Sequence, residues 1–223
     1  MRGTGYRGAA CVEFAFITMV LVPLLLGTGA AGINMILTLQ TIQLARDAGH
    51  MYARGLDFSQ PGNQTILANV GSTLGLSTTA GSGSAVVILS KLTYVDDAAC
   101  TAAGAVDKNG NPSGCTNLGK WVFTQRLEIG NSSLRTSNIG SPLTSGPTGV
   151  TVSSPSGNIS LSDYVTKAGA VATFSSINPY SDVNGVVSGL PSGQVLYIAE
   201  AAATAFSMPP FIEPPATYSY GLF

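Results

Sequence analysis

The chain has 223 residues, 27 of them glycine and 12 proline, with 45% hydrophobic and 9% charged side chains; a mean hydropathy of +0.32 excludes the disordered class. With 10 basic and 11 acidic side chains the net charge is -1 and no basic cluster occurs, which excludes electrostatic capture of a nucleic-acid backbone. One histidine and three cysteines are too few for most metal cages or nucleophile–base–acid sets, so no cofactor is expected and an enzyme is the least favoured class.

The first element is apolar. From Phe14 to Ala45 no acidic or basic side chain occurs, and the stretch 14–33 alone is long enough to cross about 30 Å of hydrocarbon. The preceding Met1–Gly8 carries Arg2 and Arg7 and no acid, so it is expected to stay cytoplasmic while the rest crosses outward. Beyond Ile33 the apolar residues are spaced: Ile33, Ile36, Leu37, Leu44, Ala48 and Met51 recur at three- and four-residue intervals among polar ones, the period of an amphipathic helix. The pattern predicts one helix over 9–54, with a membrane part about 14–33 and a stalk about 34–54. At 1.5 Å per residue that is about 69 Å, more than the bilayer needs, so the stalk requires a partner or a domain along it. The alternative is a secretory signal peptide with Phe16–Leu26 as its apolar region and cleavage within Gly27–Ala31; Glu13 at the head of the run and the helical pattern past Ala31 oppose it.

Gly8-Ala9-Ala10-Cys11-Val12-Glu13-Phe14 before an apolar helix resembles a type IV prepilin processing site. With Pro23-Leu24-Leu25-Leu26 and Ala45-Arg46-Asp47-Ala48-Gly49-His50-Met51-Tyr52-Ala53-Arg54, the first quarter of the chain is similar to the TadE-like pseudopilins of the tight-adherence pilus system. Many members carry a second acid midway along the helix, where this chain has Asn34 as its polar landmark. The resemblance implies that a prepilin peptidase removes Met1–Gly8 between Gly8 and Ala9. It further implies a structural subunit, a minor pilin or pseudopilin, held in a bacterial inner membrane with an extracytoplasmic head before it reaches the pilus or cell surface. Glu13, with Phe14 beside it, would meet the amino terminus of a neighbouring subunit, which offsets the cost of a carboxylate among apolar helices. The competing placement is a glutamate resting among lipid headgroups. A membrane-anchored or secreted binding module that enters no filament is the alternative function.

Pro23 removes one backbone bond and permits a bend. Gly27, Gly29 and Gly32 follow, and small residues let helices approach in lipid; a locally weakened helix without contacts is the competing reading. Cys11 is expected to be a buried, inert thiol.

The extracytoplasmic part, 55–223, is predicted as an α+β head. A short helix is expected over Gln64–Leu74. Ala85–Val95 and Trp121–Ile129 are rich in β-branched and aromatic residues and read as strands, the second with an alternation implying one solvated face. Gly193–Phe206 is the third. About three antiparallel strands against the distal half of the helix is a pilin-like arrangement by resemblance, with Glu200 in the last strand as in TadE-like proteins. Cys100 and Cys115 flank a turn-rich loop, and outside the cytoplasm they are expected to form a disulfide contributing about 3 kcal/mol; a metal site built on two thiolates without a histidine is the weaker reading. Gly130–Pro191, rich in Ser, Gly, Thr, Asn and Pro, reads as a long surface excursion with a short helix within Leu161–Ala172. The carboxylates Asp96, Asp97, Asp163, Asp182 and Glu200 show no paired acid–base spacing.

Overall fold

The computed structural model describes residues 6–111, 113–173, 194–209, 213 and 215–223, with the backbone alone for 6–10. Its first element, α1, is a 48-residue helix, Tyr6–Ala53. Pro23 is its one internal proline. The helix stops in a Schellman turn: Gly55 N donates to Tyr52 O and Leu56 N to Met51 O, with Gly55 at φ +88°, a conformation that glycine adopts without strain.

A short helix α2 (Pro61–Val70) and a 3₁₀ turn (Ser72–Leu74) fill the region expected to be helical. The strands are β1 (Ala85–Tyr94), β2 (Trp121–Gly130), β3 (Val195–Ala203) and β4 (Thr217–Leu222), in the order β2-β1-β3-β4 and antiparallel throughout. The class is α+β, and the strand count is four where about three were expected. The fourth, Thr-Tyr-Ser-Tyr-Gly-Leu, alternates no apolar residues; its place is set by the ladder with β3, Ile198 opposite Leu222 through Ala203 opposite Thr217.

The upper half of α1 lies across β3 and β4. Leu44, Ala45, Ala48 and Tyr52 pack on Val87, Leu89, Ala199, Ala201 and Ala203, with Phe58 and Leu67 closing the end. The alanines of β3 let the helix approach closely, and Thr41 Oγ1 meets Thr217 Oγ1 at 2.8 Å. At the tip the Phe223 ring sits where a Cβ on Gly49 would be 1.9 Å from its Cε2, so only a glycine admits it there.

The other sheet face is covered as well, contrary to the expected solvated face of β2. Val95, Cys100, Ile139, Val150, Ile159, Val165 and Ala170 join Leu92, Val122, Phe123 and Ile198 in a second core. The described part of the excursion after β2 is therefore a structural layer, with a short helix α4 (Leu161–Thr166) capped by Ser160. Helix α3 (Asp97–Ala102), capped by Asp96, carries Cys100, which is disulfide-bonded to Cys115 at a Cα–Cα distance of 5.7 Å. The bridge ties α3 to the loop leading into β2.

Candidate assembly surface

Seen from the packing, α1 has two halves. Ala30, Asn34, Leu37, Thr41, Leu44, Ala45, Ala48 and Tyr52 are buried or half-buried and share one side at a three- or four-residue spacing, as a helix packed on a sheet requires. The stripe holds Asn34 and Thr41, while Ile33 and Ile36, expected on it, are exposed at 43% and 57%. Small and hydroxylated residues share the packed side with Leu37, Leu44 and Tyr52, while Ile33, Met35, Ile36, Leu39 and Ile42 point away.

Below Ala30 no side chain from Cys11 onward is buried. Val12, Phe14, Phe16, Ile17, Met19 and Val20 open a continuous apolar surface; the helix from Cys11 is long and apolar enough to cross a membrane, with a mean hydropathy of 2.1 in its most apolar stretch. Its hydroxyls are satisfied on the helix itself: Thr18 Oγ1 donates to Phe14 O at 2.5 Å, and Thr28 Oγ1 to Leu24 O and Leu25 O at 3.0 Å. Those bonds remove donors that hydrocarbon would leave unsatisfied.

Glu13 and Phe14 lie on this surface, both exposed, and Glu13 has no ion-pair or hydrogen-bond partner among the described residues. Among the described residues a Cβ added at Gly27, Gly29 or Gly32 would meet nothing within 4 Å, so no contact with them requires these glycines. Cys11 is a free, exposed thiol, not the buried one expected, because no other part of the described chain packs at that level. The Gly8–Ala9 bond falls within the first turn of α1; residues 1–5 of the expected leader and the side chain of Ala9 lie outside what the structure describes.

The apolar surface continues past the length of a membrane. Met35, Ile36, Leu39 and Ile42 are exposed on the side of α1 turned away from the sheet. From Cys11 to Ile42 the helix rises about 46 Å, against a hydrocarbon thickness of about 30 Å.

The head contains the second notable carboxylate. Glu200 is 1% exposed and accepts hydrogen bonds from Tyr218 Oη at 2.5 Å, from Asn138 N at 3.0 Å and from Ser137 Oγ. Arg126, 7% exposed, donates to Ser90 Oγ at 2.7 Å and to Ser141 Oγ at 3.2 Å and pairs with Glu128 at 3.3 Å and Glu200 at 3.9 Å. Burial lowers the Arg126 pKa and the two glutamates oppose that. Burial and then the bond to Glu200 raise that of Tyr218. The set stitches the loop after β2 onto the sheet, so Glu200, read from the sequence only as an acid in a strand, is a structural anchor.

A cleft of about 230 Å³ at the tip of α1 is lined by Tyr52, Asp57, Lys91, Gln125 and Tyr197. Its polar groups are engaged within the chain: Tyr52 Oη donates to Gln125 Oε1 at 2.7 Å, Gln125 Nε2 to Ser156 O at 2.6 Å, and the Lys91 ammonium lies 5.7 Å over the Tyr197 ring. Among the described residues no cluster of three His, Cys, Asp or Glu side chains could hold a metal. Asp182 of the sequence reading lies outside the described residues. Comparison with protein-family models, curated proteins and solved structures finds no match for this chain.

Proposed function

We propose that the chain is a pilin-like structural subunit, a minor pilin or pseudopilin of a tight-adherence type of filament, that assembles through α1. The observation that carries the reading is the apolar surface of α1, which exceeds the bilayer by about ten residues at 1.5 Å per residue. Lipid covers the part inside the membrane. Met35, Ile36, Leu39 and Ile42 stand beyond it, and an apolar strip of that kind in water marks an interaction site. A second copy of the same helix supplies the matching surface and brings its own amino terminus to Glu13. The glycines at 27, 29 and 32 then serve close approach between helices.

On this reading the partners are a prepilin peptidase acting between Gly8 and Ala9, the inner membrane, and other pilin or pseudopilin subunits; the head reaches the cell surface for attachment or secretion. The test has two parts. Amino-terminal sequencing of the protein from membranes is expected to begin at Ala9, whereas an intact Met1 on a solitary chain makes it a tethered module and a start near Gly32 makes α1 an export signal. Glu13→Ala is expected to leave processing intact and to abolish incorporation into filaments; normal incorporation of that variant contradicts the role given to Glu13.

A further inference from the structure

We propose that the turn following β3, at Phe206–Pro209, is a second membrane contact, a foot by which the head rests in the headgroup layer of the outer leaflet beside α1. The inference depends on α1 crossing the bilayer and not on assembly. Asn34 fixes the height of the foot: its Nδ2 donates to Phe206 O at 3.1 Å and its Oδ1 accepts from Phe206 N at 2.8 Å. This paired bond satisfies both backbone polar groups of Phe206, which lowers the cost of placing that peptide next to lipid.

Three observations set that height at the membrane surface. Ala30, one turn below Asn34 on the same side, is 3% exposed, and no described side chain from Cys11 to Gly29 is buried, so the cover contributed by the head ends there. From Glu13 to Asn34 the helix rises about 32 Å, close to the hydrocarbon thickness, so these two side chains fall at opposite interfaces, and the hydroxyls of Thr18 and Thr28 between them bond to the helix backbone. The turn suits such a site chemically. From Ala201 to Pro209 no charged side chain occurs, and Phe206 is 39% exposed at the level of α1 where burial against the head ends. An aromatic ring at that level exchanges water for the apolar edge of the headgroup layer. The foot would limit how far the head tilts on its helix and hold Met35, Leu39 and Ile42 clear of lipid.

The test is a depth measurement on the full chain in vesicles of phosphatidylethanolamine and phosphatidylglycerol, at a protein density low enough to keep molecules apart. A nitroxide is attached at Phe206→Cys in a Cys11→Ser background, with Leu118→Cys, on the exposed surface of the head, as the aqueous reference. The expected result is an oxygen-to-nickel-chelate accessibility ratio several-fold higher at Phe206 than at Leu118. Equal ratios at the two positions overturn the foot. A raised ratio that appears only at high protein density also overturns it, assigning the turn to a neighbouring subunit instead of lipid. Ser207→Cys, exposed on the same turn, carries the measurement by the same criteria if the Phe206 variant loses the fold of the head. Failure of the foot leaves the amino terminus at Ala9 and incorporation into filaments unaffected, so the two readings fail separately.

Discussion

Two carboxylates divide this molecule. Glu200 in the head is enclosed by donors from Ser137, Asn138 and Tyr218 with Arg126 alongside; Glu13 at the foot of α1 has no partner among the described residues. The apolar side chains divide in the same way. Leu44 and Tyr52 on upper α1 are buried against the sheet, while Phe14, Phe16 and Leu25 on the lower part are exposed. One half of the helix is completed by its own chain, and the other presents what only surroundings can complete. The difference teaches that the head is a folded unit whose stability is set by internal contacts, and that the lower helix is where the proposed contacts with lipid and neighbouring copies would be made.

The largest expected effect that sharpens this contrast is at Glu200. Glu200→Ala leaves the Arg126 guanidinium buried with its deeper counter-ion gone, and is expected to cost about 3–5 kcal/mol, read as a lowered melting temperature of the detergent-solubilised protein. Glu13→Ala leaves that melting temperature unchanged. Next come the two aliphatic positions. Leu44→Ala opens a cavity between helix and sheet and is expected to lose about 2–5 kcal/mol in denaturant unfolding, whereas Leu25→Ala leaves unfolding of the head within about 0.5 kcal/mol of the parent. Equal losses at Leu44 and Leu25 would break the contrast.

Glycines give a smaller version of the same comparison. Gly49→Ala drives a methyl group into the Phe223 ring and is expected to cost about 1–3 kcal/mol in thermal unfolding. Gly29→Ala meets nothing among the described residues; unfolding is expected to be unchanged, with any effect appearing in association.

The smallest effect is an acid dependence confined to the head. The Lys167 ammonium, 2.8 Å away, and the Thr151 N–H hold the Asp163 carboxyl below its usual range. A lowered folded-state pKa stabilises above the unfolded value of about 3.9 and is lost as the pH falls through the folded one. Asp163→Asn is expected to flatten the acid limb of stability against pH slightly, and an unchanged limb would remove Asp163 from the account.

How far the fold was legible follows from what each segment must satisfy. β1 and β2 bury both faces, so Val86-Val87-Ile88-Leu89 and Trp121-Val122-Phe123 stand out as apolar runs. The bonded pair Cys100–Cys115 follows from two thiols on either side of one turn-rich loop. β4 was not legible, because Tyr218-Ser219-Tyr220-Gly221 takes its strand conformation from pairing with β3 and not from its own apolar pattern. Helix α3 left a signal that was passed over, the cap at Asp96 before Ala98-Ala99. The inner face of α1 was placed in part: Leu37, Leu44, Ala48 and Met51 pack toward the sheet as their spacing implied, whereas Ile33 and Ile36 point outward. Because α1 carries exposed aliphatics on its outward side, Met35, Ile36, Leu39 and Ile42, as well as Leu37 and Leu44 on the side packed against the alanine-lined sheet, hydrophobicity alone does not separate the two faces. Asn34 and Thr41, polar by type, belong to the inside because Phe206 and Thr217 answer them.

The central claim is that the outward stripe of α1 beyond the bilayer is covered by another copy of the same helix. Cysteine cross-linking in native membranes tests it most directly. In a Cys11→Ser background, Leu39→Cys and Ile42→Cys are each oxidised and compared with Asp47→Cys, at the rim between the stripe and the sheet-facing side. The account predicts a ladder of covalent dimers and higher species from Leu39 and Ile42, with little from Asp47. Monomer alone at all three positions, in membranes where the protein is fully processed, would contradict it.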